Sequence, residues 1–316
     1  MIQNGLNRVM SNDKCHVYND SLVYIINFND VKGCVEVGRI HIVTDSTCDL
    51  TKEEVAQHGI HIVPLSIQID GKTYTDGVDI EPQSFLSFMQ NSENLPKSSQ
   101  PAPGKFKELF DELGKDGDQI ISIHMTGGMS GTVESARQAA QMTDANVTVI
   151  DSRFIAFGLA FQLREAIKMR DAGATVEEIM ARLDKVRENT YLYVVVDTLD
   201  NLIKGGRIGK GKGFIGSLLN IKVIANLEGG AYNPVTKVRS HKQVVNYLFK
   251  QFQADTAGKT VKSVGISHAD GMTTMGGPLK ELIEGTGVNE VEIAFTSPII
   301  STHTGPGAIG FMFFAE

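Results

Sequence analysis

Short apolar runs alternate with amphipathic stretches through most of this chain. The segments Ile40–Val43, Ile120–Ile123 and Val147–Ile150 are largely apolar and of strand length, which is typical of strands buried on both faces of a parallel sheet. Stretches with helical periodicity separate them. The first half of the chain therefore predicts strand, loop and helix units in repetition, as in an α/β domain.

Helix boundaries are marked by capping residues. Thr51-Lys52-Glu53-Glu54 and Thr175-Val176-Glu177-Glu178 have the spacing of a capping box, in which the Thr and Glu side chains satisfy free N–H groups at a helix start. Gly59 suits a helix stop, and Pro82 and Pro103 suit a first helical turn. We predict helices that begin at these two Thr and two Pro positions.

Hairpin signals and a change of pattern suggest two domains. Asp70-Gly71 predicts a hairpin turn, with Ile60–Ile69 as a strand before it. After Tyr191–Val196, the segments read as a short helix at 214–219, a hairpin at 228–230, and alternating helices and strands. The second half is therefore expected to be an α+β domain.

The predicted organisation has three parts. Residues 1–38 are polar around one short apolar run, and we expect them to be disordered or not translated, with translation then starting near Val35 or Val37. Residues 39–188 form the N-terminal α/β domain with a parallel sheet. Residues 189–316 form the α+β C-terminal domain.

Composition narrows the functional classes. The 316 residues are 41% hydrophobic and 21% charged, as in an ordinary globular protein. The formal charge of −7 argues against general nucleic-acid binding, which needs a basic surface. No apolar run reaches the about 18 residues of a transmembrane helix, and Cys15, Cys34 and Cys48 show no zinc or disulfide spacing. These features predict a cytoplasmic protein.

Loops rich in Ser, Thr and Gly follow several of the strand-like runs. In open α/β sheets ligands bind beyond the carboxyl ends of the strands. Hydroxyl and backbone N–H groups can hold one small anionic or polar head group there. The loops lack the Lys residues of a nucleotide site and the carboxylates of a metal site, so we expect no metal and no cofactor. They are 44–47, 98–101, 126–132 and 301–307.

The 126–132 loop has two further interpretations. It matches neither a Walker loop nor a dinucleotide fingerprint, so a plain tight turn is an alternative to a ligand site. Ser130 would be the nucleophile of a serine hydrolase, with His303 and an Asp completing a triad in space. The second glycine of a nucleophile elbow is absent, so this enzyme is an alternative rather than the preferred interpretation.

Single histidine and aspartate residues and one cationic stretch offer further candidate sites. His303 is expected on a constrained turn, where its imidazole can donate to a carboxylate. Asp45 and Asp151 stand at strand ends, where capping explains them without a metal. The cationic stretch 204–212 suits phosphates, a partner protein, transient contact with an anionic membrane surface, or solvent alone. A ligand-sensing regulatory module acting through this stretch is a further alternative.

Taken in order, these motifs resemble the DegV family of bacterial fatty-acid-binding proteins. The resemblance runs from about residue 39 to the C-terminus and leaves 1–38 outside. The residues that carry it are Ile42-Val43-Thr44-Asp45-Ser46-Thr47, Val63-Pro64-Leu65-Ser66, Ser98-Ser99-Gln100-Pro101, Ser130-Gly131-Thr132, Gly206-Arg207-Ile208 and His303-Thr304-Gly305-Pro306-Gly307.

The resemblance implies a two-domain α/β carrier that does no catalysis itself. Such a protein buries one long-chain fatty acid and presents it to a fatty acid kinase, which forms an acyl phosphate for phospholipid synthesis. Arg207 resembles a surface arginine that docks to the kinase. Lys97 departs from the family pattern, which often has Thr or Ser there, and leaves a cation near the head group. The residues implied around the carboxylate are Ser98, Ser99, Gly128, Ser130, His303 and Thr304.

Overall fold

The computed structural model describes residues 7–11, 14–19, 22–27, 38–92, 94–209 and 221–316. By internal contacts, Met1–Gly38 is one compact unit and Arg39–Glu316 is another. The first unit contains three strands that pair antiparallel in chain order, which the sequence did not suggest. They are β1 (Asn7–Ser11), β2 (Lys14–Asn19) and β3 (Leu22–Asn27). The expected start near Val35 or Val37 and the helix expected at 214–219 lie outside the described residues.

A four-stranded parallel sheet forms the centre of the N-terminal half of the second unit. Its strands are β4 (Ile40–Asp45), β5 (His61–Val63), β9 (Gln119–His124) and β10 (Asn146–Asp151), in the order β10-β9-β4-β5. Helices cover both of its faces, as continuous apolar strands require. The helices of this half are α1 (Lys52–His58), α2 (Pro82–Asn91), α3 (Pro103–Leu113), α4 (Thr132–Ala140), α5 (Ala156–Asp171) and α6 (Val176–Glu188).

The two faces of this sheet bury different helices. Ile42 and Ile121 pack in one cluster with Leu163 of α5. Val43 and Ile120 pack in another cluster, together with aromatic and alanine side chains of α3 and α4. The sheet is therefore the middle layer of three.

A small antiparallel sheet lies beside this layer. Its strands are β6 (Ser66–Ile69), β7 (Lys72–Thr75) and β8 (Lys97–Ser99), in the order β7-β6-β8. The predicted hairpin at Asp70-Gly71 is confirmed, and both residues have the positive φ that such a turn uses. The expected strand over 60–69 divides into β5 and β6, because Pro64 between them has no N–H for a ladder.

A six-stranded mixed sheet organises the C-terminal half. Its strands are β11 (Thr190–Val196), β12 (Lys222–Asn226), β13 (Asn233–Val238), β14 (Val261–Ala269), β15 (Glu292–Phe295) and β16 (Ala308–Ala315). The order is β13-β12-β11-β16-β14-β15, and β14 with β15 is the parallel pair. The helices of this half are α7 (Asp200–Lys204), α8 (His241–Asp255), α9 (Gly277–Glu284) and α10 (Pro298–Thr304).

This mixed sheet separates two hydrophobic cores. One face packs against α8 and α9 through residues such as Val195, Leu248 and Leu279. The other face contributes to the largest buried cluster, together with Phe157 of α5 and Ile67 of β6. The N-terminal and C-terminal halves therefore share a core. Because 39–316 form one compact unit, the domain boundary at 188/189 stays a prediction.

The predicted helix ends are confirmed where capping signals marked them. Thr51 and Thr175 each form a capping box, and Gly59 ends α1 in the left-handed conformation. Pro82 and Pro103 lie in the first turns of α2 and α3. In the described part of the chain, no helix combines the length and apolar character needed to cross a membrane.

Candidate functional site

A cavity lies where the two halves of the second unit meet, with about 600 Å³ of space between its lining atoms when its solvent-open part is included. Its apolar wall comes from both halves, with Leu65 and Ile155 from the first and Leu202 and Ile300 from the second. Polar side chains complete the lining. They include Ser98, Gln100, Ser130, Arg207, His303 and Thr304.

Ser98 and His303 meet at this cavity although 205 residues separate them in sequence. Ser98 Oγ lies 2.7 Å from His303 Nε2. Burial, and then the charge of Arg207, lower the pKa of His303 to about 4, so its imidazole is neutral at pH 7. When Nε2 carries the proton, it donates a hydrogen bond to Ser98 Oγ. The Ser98 hydroxyl can then donate a hydrogen bond to an anion in the cavity. His303 and Ser98 can therefore form two consecutive hydrogen bonds that end on the anion.

His303 lies in the last turn of α10, which corrects the expectation of a constrained turn. Ser297 is the N-cap of this helix and Pro298 lies in its first turn, so the segment has a complete helix start. A Cβ on Gly205 would come within 2.3 Å of His303 Nδ1. The glycine therefore allows α7 to approach the imidazole closely.

Arg207 belongs to the cavity wall as well as to the surface. Its Nε donates to the carbonyl of Met129 at 3.1 Å, and one terminal nitrogen donates to the carbonyl of Gly205 at 2.7 Å. The side chain is half-buried, and its charge is close enough to lower the pKa of His303. The resemblance implied a surface arginine with the head group close to it, and the structure places Arg207 in the cavity wall with Ser98 and His303.

The 126–132 loop supplies Ser130 to the same cavity. Ser130 Oγ lies 2.8 Å from Thr132 Oγ1 and also accepts from the Thr132 N–H. Gly128 is not among the lining residues, and its N–H donates to Thr126 Oγ1 at 3.1 Å. A Cβ on Gly128 would lie 2.5 Å from the carbonyl oxygen of Gly230. Gly128 thus permits the close approach of two loops, and its predicted contact with a carboxylate stays a prediction.

Strand β8 divides its three residues between the cavity and the outside. Ser98 is half-buried and lines the cavity, whereas Lys97 and Ser99 are exposed and do not. Successive strand residues point to opposite faces, which accounts for the difference. Lys97 is therefore on the outer face, away from the proposed head group. Ser99 was also expected around that group, and the structure places it beside the cavity rather than in its lining.

Thr304 lines the cavity, and its place around a carboxylate stays a prediction. Its hydroxyl donates to the carbonyl of Ile300 at 3.1 Å, so it offers a lone pair rather than a proton to a ligand.

Three fully buried polar residues of β4 and β9 are linked by hydrogen bonds. Ser122 Oγ lies 2.6 Å from His124 Nε2, and His124 Nδ1 lies 3.1 Å from Asp45 Oδ2. Burial alone would raise the pKa of Asp45, but the His124 hydrogen bond and charge, with donors from Thr47 and Met125, hold it below its ordinary value. Ser122, His124 and Asp45 have no exposed surface. The order of groups is that of a catalytic triad, but substrate cannot reach it.

The geometry gives no support to the hydrolase alternative. Ser130 pairs with Thr132, and the histidine of the cavity pairs with Ser98 instead. His303 Nδ1 is shielded from water and has no hydrogen-bond partner among the described residues, so no carboxylate orients the ring. Nor do the described ranges contain a group of three or more side chains suited to a metal ion.

A second, smaller cavity adjoins the first. The two share four lining residues, namely Ile155, Val194, Ile300 and Thr304. Ile300 and Thr304 are one turn apart on α10 and form part of the wall of both.

Comparisons with known proteins agree on one family. The DegV family model, which describes its members as uncharacterised proteins, matches residues 39–316. A DegV domain-containing protein of Listeria innocua is 45% identical over 279 residues, covering 88% of this chain and 99% of that protein. The structure of a fatty-acid-binding DegV family protein from Thermus thermophilus has a TM-score of 0.82 and 30% identity, covering 88% of this chain and 100% of its own. DegV of Bacillus subtilis, a fatty acid binding protein, has a TM-score of 0.80 and 31% identity, with coverage of 88% and 99%. The predicted two-domain α/β fold is confirmed by these neighbours.

Proposed function

Because this chain belongs to the DegV family, we propose that it binds one long-chain fatty acid and presents the carboxylate to a fatty acid kinase. The kinase would convert the bound acid to an acyl phosphate for phospholipid synthesis. The protein itself would act in the cytoplasm as a carrier and make no bond.

The cavity between the two halves is the observation that carries this proposal. The cavity has an apolar wall, and its polar lining residues include Ser98, Ser130, Arg207 and His303. This combination suits a ligand with one anionic end and a long apolar body. The two solved relatives described as fatty-acid-binding proteins support the same ligand class.

The energetics assign different tasks to the two ends of the ligand. Each buried methylene contributes about 0.8 kcal/mol, so the tail supplies most of the affinity. A buried carboxylate needs several converging donors to offset its lost hydration. The Ser98–His303 pair, Ser130 and the Arg207 guanidinium supply donors and a positive charge, so they fix the orientation of the acid.

Mass spectrometry of an organic extract tests the ligand assignment. Purified protein should release about one fatty acid per chain, and removal of both hydroxyls in Ser98→Ala with Ser130→Ala should lower that ratio. Lipid-free native protein that also fails to take up added fatty acid would overturn the proposal.

Arg207 is proposed as the contact with the kinase as well as a neighbour of the carboxylate. Arg207→Ala protein saturated with fatty acid should yield acyl phosphate more slowly than saturated wild type, because the half-buried guanidinium is next to the reacting group. Lys204→Ala is the matched control, since Lys204 is an exposed cation three residues away and does not line the cavity. Equal rates for Arg207→Ala and wild type at equal occupancy would refute the role.

A further inference from the structure

Thr132 is the hydrogen-bond partner of Ser130 in the 126–132 loop. It is the first residue of α4 and is fully buried. Its Oγ1 lies 2.8 Å from Ser130 Oγ, and Oγ1 has no other hydrogen-bond partner among the described residues. Ser130 is half-buried and is one of the residues that line the cavity. Of these two residues, only Ser130 therefore has surface that a ligand or water can reach.

The burial of Thr132 determines the direction of this hydrogen bond. The distance alone allows either oxygen to donate. If Ser130 donated, the proton of Thr132 Oγ1 would be buried without an acceptor, and such unpaired polar groups are costly and rare in folded proteins. If Thr132 donates, its proton is paired and the proton of Ser130 is left for a ligand or for water. The hydrogen bond therefore runs from Thr132 Oγ1 to Ser130 Oγ.

The backbone of Thr132 supplies a second donor to the same oxygen. Its N–H donates to Ser130 Oγ at 3.3 Å. A hydroxyl oxygen has two lone pairs and one proton, so when Thr132 occupies both lone pairs the Ser130 hydroxyl can act only as a donor. Accepting these hydrogen bonds also strengthens that donor, because hydrogen bonds in a chain polarise one another.

Contacts with Gln100 hold the start of α4 in place. Gly131 is the N-cap of this helix, and its carbonyl accepts from the Ser135 N–H at 2.9 Å. Gln100 Nε2 donates to Ser135 Oγ at 3.1 Å, and a Cβ on Gly131 would clash with Gln100 Oε1. The Gln100 amide therefore packs directly on the helix start. Because Gln100 is two residues after Ser98, the same contacts set the position of Ser98 relative to Ser130.

We propose that Thr132 is a positioning residue that orients the Ser130 hydroxyl as a hydrogen-bond donor to the carboxylate of the bound fatty acid. This inference rests on the proposed function, since it concerns how the same site holds its ligand. A carboxylate is an acceptor at both oxygens and has no proton to donate, so it needs a hydroxyl that is oriented as a donor. Thr132 would act on Ser130 as His303 acts on Ser98, whose Oγ is 2.7 Å from the imidazole.

A double-mutant cycle on Thr132 and Ser130 tests the inference. Delipidated wild type, Thr132→Val, Ser130→Ala and the double variant are each titrated with octadecanoate. Thr132→Val should raise Kd about fivefold, because the Ser130 proton is then no longer directed to the carboxylate. In the Ser130→Ala background the same change should alter Kd by less than about twofold, because the hydroxyl through which Thr132 acts is missing. A purely structural role of Thr132 would give equal losses in both backgrounds.

Two further variants complete the test. Thr132→Ser keeps the hydroxyl and should bind octadecanoate within about twofold of wild type. Thr190→Val is the matched control, since Thr190 is buried outside the cavity and its hydroxyl donates to the carbonyl of Val186 at 2.7 Å; its Kd should stay at the wild-type value.

The outcomes separate this inference from the proposed function. If wild type binds octadecanoate but Thr132→Val binds it equally tightly, or loses as much affinity in the Ser130→Ala background, the inference alone is overturned. Binding by Ser130→Ala as tight as that of wild type would overturn it as well. Failure of wild type to bind octadecanoate would overturn the proposed function and the inference with it.

Discussion

Replacing Ser98 with Ala tests the polar end of the cavity most directly. The change removes the hydroxyl 2.7 Å from His303 Nε2. His303 Nδ1 already has no partner among the described residues, so the variant leaves both nitrogens of a largely buried ring unpaired. An unsatisfied buried group costs about 1–3 kcal/mol, and in a large domain each kcal/mol lowers Tm by about 2–4 °C. The lipid-free variant should therefore melt a few degrees below wild type.

The same change should weaken fatty acid binding by a separate route. A hydrogen bond to a charged group contributes about 1.5–3 kcal/mol, which corresponds to about a 10–150-fold increase in Kd. Calorimetry of the lipid-free protein and titration with octadecanoate measure the two effects independently.

Ser99→Ala is the matched control for this experiment. Ser99 is the next residue of β8 and is exposed on the opposite face, so Kd and Tm should stay close to those of wild type. The reasoning fails if Ser98→Ala binds octadecanoate as tightly as wild type does, or if Ser99→Ala weakens binding equally.

Two further predictions concern stability. Burial raises the pKa of both Asp49 and Asp76 to about 7 from an ordinary value of 3.8. Between about pH 4 and 7 the folded protein therefore holds more protons than the unfolded chain. The free energy of unfolding should then fall as pH rises through that window. Denaturant titrations at several pH values should show that the free energy of unfolding of Asp76→Asn depends less on pH than that of wild type. Asp116→Asn, at an exposed position, should keep the pH dependence of wild type. A wild-type free energy of unfolding that rises over the same window would contradict the assignment. Gly128→Ala should lower Tm by several degrees, because its Cβ would meet the carbonyl of Gly230 at 2.5 Å, and an unchanged melting curve would show that the loops separate freely.

Local signals predicted much of the fold. The capping boxes at Thr51 and Thr175 and the Asp70-Gly71 turn depend on neighbours in sequence, so their geometry could be read without tertiary information. Strand β8 could not, because Lys97–Ser99 has no apolar pattern and becomes a strand only by pairing with β6. Helix α10 was missed because the apolar and β-branched residues of Pro298–Thr304 also suit an extended run.

The candidate site was predictable as a set of loops but not as a set of contacts. Ser130 and His303 are candidates from the loop residues themselves, Ser98 is one through the family resemblance, and all three line the cavity. That Ser98 and His303 are hydrogen-bonded depends on chain segments 205 residues apart. The place of Arg207 in the wall depends on the carbonyl of Met129 from the other half of the unit. Such pairings follow from packing, which no local pattern encodes.

The cavity wall is also part of the protein's largest core. Leu65, Ile155, Leu202 and Ile299 belong both to that buried cluster and to the cavity lining. A bound acyl chain would therefore act as a removable core segment that holds the two halves together, and its binding free energy would add to folding stability by mass action. Release would then require transient opening of a packed interior, so the lifetime of the complex would be governed by how often the halves separate rather than by diffusion of the ligand.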